Sequence, residues 1–70
     1  MYVIKWENRY SKETGYVEKI NRKFGFFENT FERANAGIFK TKGNAIKAIS
    51  WLKSSKEGEN NEFFLEEISD

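Results

Sequence analysis

The chain predicts a small two-layer α+β domain, one mainly antiparallel sheet with its main helix packed on one face. Three observations carry that prediction. Residues 2–7, YVIKWE, set Tyr2, Ile4 and Trp6 against Val3, Lys5 and Glu7 with the period of a strand. Residues 44–55, NAIKAISWLKSS, place Ala45, Ala48, Ile49 and Leu52 at the spacing of one helical face. Residues 62–68, EFFLEEI, return to a strand-forming composition. The predicted order is β-β-(short α)-β-α-β in a single domain, 1–70.

The first strand leads into NRYSKETG, a polar stretch with its turn expected at KETG and closing on Gly15. YVEKI, 16–20, resumes the sheet as the second arm of an antiparallel hairpin. Residues 21–28 continue that arm or form a third short strand, with Gly25 marking a bulge or a close backbone approach. In NTFERANAG, Asn29 with Glu32 three residues later has the form of a capping box, and Gly37 suits a left-handed helix end. One or two helical turns are expected between them. IFKTK, 38–42, is short and β-prone. Thr41 or Asn44 then caps the main helix, about 43–55, whose apolar face Ile46 and Trp51 broaden while Lys47, Ser50 and Ser54 face away. KEGENN is the polar loop before the last strand.

Seventy residues suffice for one small core, and a chain of this size buries only about 60% of its unfolded surface. There is no cysteine to supply a disulfide or thiolate site, and no histidine to act as general base or metal ligand. Two Trp, three Tyr and seven Phe are many rings for this length, and they are read as the core. No apolar run reaches the roughly 18 residues of a membrane span, and MYVIKWEN reads as strand rather than as a leader. A cytoplasmic protein with no cofactor and no metal is expected.

The net charge of +1 conceals a division. All 12 Lys and Arg fall within residues 1–56 beside five acids, whereas residues 57–70 hold six acids and no base. Such asymmetry marks an interaction surface, or an acidic end that pairs with the body or is solvated. The carboxylates are the only acid/base candidates, and no spacing pairs a nucleophile with a base or forms a phosphate-binding glycine loop. No enzyme is predicted.

RKFGFF, 22–27, resembles the RNA-stacking motif of RRM domains at Arg22, Phe24, Gly25 and Phe26. Lys23 stands in place of the motif's first glycine, Phe27 in place of its valine and Asn29 in place of its last aromatic. No helical pattern precedes it, as the RRM order requires. VIKWEN resembles the opening of cold-shock domains, whose all-β barrel has no room for the helix. A nucleic-acid interface on this reading consists of Arg22, Lys23, Phe24 and Phe26, with Lys40 and Lys42 on the backbone.

MYVIK at the start and NAGIFKTKGNAIKAI at 35–49 resemble short proteins encoded by phages and prophages of AT-rich Gram-positive bacteria. Lys, Asn, Ile and Phe, which have AT-rich codons, fit such an origin. Some small phage proteins inhibit host systems, anti-CRISPRs among them, by occupying a surface of a larger protein. The resemblance implies a non-enzymatic protein-binding module acting on a larger host protein, with nucleic-acid binding as the alternative. Self-association through a sheet edge is the further partner expectation.

Overall fold

The computed structural model describes residues 1–56 and 58–68. Glu57 and Asp70, two of the acids at the acidic end, lie outside the described residues. Strands β1 (Tyr2–Asn8), β2 (Thr14–Asn21), β3 (Phe26–Thr30) and β4 (Asn61–Glu67) form one antiparallel sheet in the order β3-β2-β1-β4. Helix α1 (Lys42–Ser54) packs on one face and completes an α+β fold.

Alternation in β1 decides the core. Ile4 and Trp6 point to the helix and are buried with Val17, Phe63, Ala48 and Leu52. Trp6 pairs with Phe63 on one side and Gly15 on the other, so its indole has a ring beside it and bare backbone across from it. On α1, Ala45, Ala48 and Leu52 are buried, Ile49 and Trp51 are half-buried and Lys47 is exposed. Two alanines at the contact let the helix approach the sheet closely, and Leu52 fills the space between them and Phe63.

Thr41 caps α1, its hydroxyl accepting a bond from the Asn44 N–H at 3.2 Å. At the other end the Ser55 hydroxyl donates to the Leu52 carbonyl at 2.8 Å. Gly58 lies against that same carbonyl, where a Cβ would collide with it.

Val3 is also fully buried, although it faces away from α1. The cover comes from the segment after β3. Ala34, Ala36 and Ile38 border Val3 on that face, and Arg33 Nε lies 2.8 Å from Glu66 Oε1. Pairing between β1 and β2 runs only over 5–7 and 14–16. Beyond it, residues 37–39 fill the space between the strands: Gly37 N donates to Val17 O at 2.9 Å, and Phe39 and Tyr2 exchange two bonds of 2.8 Å. A Cβ on Gly37 would stand 2.5 Å from the Glu18 carbonyl oxygen, so glycine is needed for that approach.

Several local expectations are corrected. Asn29 does not cap a helix: it pairs with Val17 inside β3, and the short helix shrinks to one 3₁₀ turn, Arg33–Asn35, without a side-chain cap. IFKTK is no strand; its sheet contact is the single Phe39–Tyr2 bridge. The first hairpin turns at 9–12, where Lys12 takes φ 66°, so Thr14 and Gly15 already belong to β2. The bulge lies at Val17/Lys19 rather than at Gly25, which serves a turn with φ 76°. Gly37 serves as a close-approach glycine instead of a left-handed helix end, because its φ is not positive. Ile46 is exposed and adds nothing to the apolar face of α1.

A candidate binding surface on the second hairpin

The β2–β3 hairpin splits the RKFGFF run three ways. Asn21 organises its turn: its side-chain oxygen accepts from Phe24 N at 3.1 Å and its carbonyl from Gly25 N at 2.9 Å. Gly25 takes the left-handed conformation that closes the turn. Phe24 is thereby held outward at 70% exposure, with Lys23 Nζ 5.7 Å from its ring centroid. Phe26, 37% exposed, opens β3 on the face away from the helix, whereas Phe27 points inward and meets Phe63 edge-on at 5.8 Å.

Beyond the end of β3, Phe31 returns to the helix side. Its ring centroid is 6.1 Å from that of Trp6, yet the side chain is 66% exposed. Beside this pair runs a shallow cleft of about 200 Å³, walled by Trp6, Phe27 and Asn29 and floored by polar side chains of the first hairpin. There Asn8 is fixed by three bonds: its Nδ2 donates to Asn61 Oδ1 at 3.2 Å, and its Oδ1 accepts from the N–H groups of Tyr10 and Ser11, each at 3.0 Å. The Trp6 Nε1–H is buried with no acceptor among the described residues, a donor left unmatched beside the cleft. At about 200 Å³ the hollow lies below the usual size of a small-molecule pocket.

The predicted nucleic-acid residues come together only in part. Arg22, Lys23 and Phe24 share the turn and Phe26 follows it, while Lys40 and Lys42 flank Thr41 at the start of α1. In an antiparallel sheet the end of β2, the start of β1 and the Phe39–Tyr2 bridge lie at one end. The turn and both lysines therefore share that end of the molecule. Neither Phe24 nor Phe26 is in the core, so both rings can be reached by a ligand.

The face opposite the helix has a different character. Lys5 stands between Phe64 and Tyr16, its direct neighbours on β4 and β2, and Glu7 is bordered by Glu62 and Thr14. Four carboxylates, Glu7, Glu28, Glu62 and Glu66, lie on this side by strand alternation, and Arg33 engages one of them. The acidic end thus pairs with the body in part, through Glu66.

The reading of the rings as core holds in part. Trp6 and Phe63 are buried and Phe27, Phe39 and Trp51 pack against the core, but Tyr10, Phe24, Phe26, Phe31 and Phe64 are exposed. Phe31 was invisible to sequence reasoning because 29–37 reads as a helix; the signal that finds it is the alternation 27, 29, 31 of an extended strand. Among the described residues no group of three or more acidic side chains is placed to hold a metal, and no helix is long and apolar enough to cross a membrane. No known family model, curated protein or solved structure matches this chain.

Proposed function

We propose that this chain is a non-enzymatic binding module whose partner is a larger protein, and that the β2–β3 hairpin with Phe31 is the surface that engages it. The observation that carries this reading is the exposure of Phe24 and Phe31, at 70% and 66%, on a domain too small to spare large rings from its core. Aromatic anchors of this kind dominate protein interfaces, and an Arg–Lys pair beside Phe24 supplies orientation. The resemblance to phage and prophage proteins supports a host protein as the partner, with the bacterial cytoplasm as the place of action and inhibition of a host defence system as the outcome. Capture from a host lysate should recover one protein in stoichiometric amount, and Phe24→Ala should reduce its recovery by more than about 30-fold in affinity, the scale of a hot-spot anchor. Recovery of no stoichiometric protein would count decisively against it.

A second reading is favoured by one observation: the turn and the start of α1 place Arg22, Lys23, Lys40 and Lys42 at the same end as the exposed rings of Phe24 and Phe26. This arrangement suits a single strand of nucleic acid, with bases on the rings and phosphates on the lysines. It predicts affinity that falls steeply with salt and a gel shift weakened by either Phe24→Ala or Phe26→Ala. A shift unchanged in both variants removes it.

A further inference from the structure

The two free edges of the sheet are unlike. β4 presents Glu62, Glu66 and Glu67 within seven residues, a concentration of like charge that discourages a further strand. Among the described residues β3 is bordered by β2 alone, and its five residues carry a single charge, Glu28, with no Lys and no Pro. The bulge that interrupts the β2–β3 ladder adds its extra residue to β2, so β3 keeps a regular outer edge. Exposed Phe26 and Phe31 stand at its two ends.

We propose that the free edge of β3 pairs with β3 of a second copy of this chain, antiparallel about a two-fold axis through Asn29. The paired edge ends at Phe31, so the dimer and the partner complex proposed above compete for that ring. A two-fold axis perpendicular to the sheet keeps both helices on one side, and residues directly opposite must share a face. Pairing is therefore centred on a residue, never between two. Centring on Glu28 sets carboxylate against carboxylate, which is destabilising. Centring on Phe27 brings Gly25 opposite Asn29, where the left-handed turn cannot continue a ladder. Centring on Asn29 matches Asn29 with itself, Glu28 with Thr30, and Phe27 with Phe31. No like charges face each other. A strand this short forms a weak dimer, smaller than a standard stable interface.

The absence of cysteine makes the register measurable. Asn29 is exposed, so Asn29→Cys should leave the fold intact. Across the axis the two residue-29 Cα atoms are about 4.5–5.5 Å apart, within disulfide range. Glu28→Cys meets its own copy only on a diagonal, about 7–8 Å away. Under mild oxidation Asn29→Cys should form covalent dimer about tenfold faster than Glu28→Cys. Sedimentation equilibrium of the unmodified chain should show average mass rising with concentration, and Asn29→Lys, which sets lysine against lysine, should abolish the rise. Equal cross-linking rates, a faster Glu28→Cys, or a parent chain that sediments as monomer at the highest NMR concentrations would each overturn the proposal.

Discussion

Replacing Gly15 by alanine tests the packing at the centre of this fold. Gly15 lies across from Trp6, and a Cβ there would stand 2.6 Å from Cζ2, 2.8 Å from Cε2 and 2.9 Å from Nε1 of the indole. Ordinary contact begins near 3.4 Å, so the ring must retreat. Trp6 cannot do so freely, because it is buried against the cluster of Ile4, Phe63 and Leu52. Overpacking of this kind costs about 1–3 kcal/mol. Against it, Gly15 has no positive φ, so alanine gains about 0.4–1 kcal/mol by restricting the unfolded chain. The clash wins, and a net loss of about 1–2 kcal/mol follows, equivalent to a melting temperature lower by about 5–15 °C. Thermal unfolding followed by circular dichroism measures it directly. Combining the change with Trp6→Phe, which removes the colliding ring atoms, should give less than the sum of the two single losses. A Gly15→Ala variant that melts at or above the parent temperature would refute this packing.

Three other outcomes follow from the same contacts. Leu52→Ala, at a fully buried site, should cost about 2–5 kcal/mol, while Lys47→Ala on the exposed side of α1 stays within about 0.5 kcal/mol; urea melts compare them. Thr41→Ala removes the cap on Asn44 N–H and should lose about 1 kcal/mol, with Thr41→Ser restoring most of it. Arg33→Ala breaks a partly exposed ion pair with Glu66, so its effect should be at most about 1 kcal/mol and should shrink as salt is added.

The parts of the fold legible in the sequence are those in which one period dominates. β1 and α1 announced themselves because Ile4 and Trp6, and Ala45, Ala48 and Leu52, satisfy the strand and helix spacings with little competition. The stretch 29–39 misled because its local signals agree with a helix while long-range contacts choose otherwise. Asn29 and Glu32 look like a capping box, yet Asn29 gains a ladder partner in Val17, and the backbone of Gly37 and Phe39 is claimed by Val17 and Tyr2. Tertiary hydrogen bonds between residues some 20 to 37 apart leave no trace in local periodicity. Gly15 misled for a related reason: a glycine after a polar run reads as a turn, but here it makes room for an indole from another strand. Of the surface, the basic–aromatic turn was visible as a motif, whereas Phe31 became part of it only once β3 was seen to end at Thr30.

The central claim, a protein partner held by the exposed rings of the second hairpin, is tested most directly by nuclease-treated capture from host lysate with the parent and Phe24→Ala run side by side and quantified by mass spectrometry. One stoichiometric protein that survives nuclease and is lost with Phe24→Ala is expected, although that variant melts within a few degrees of the parent. Recovery that disappears with nuclease, or that is equal for the two chains, would contradict it.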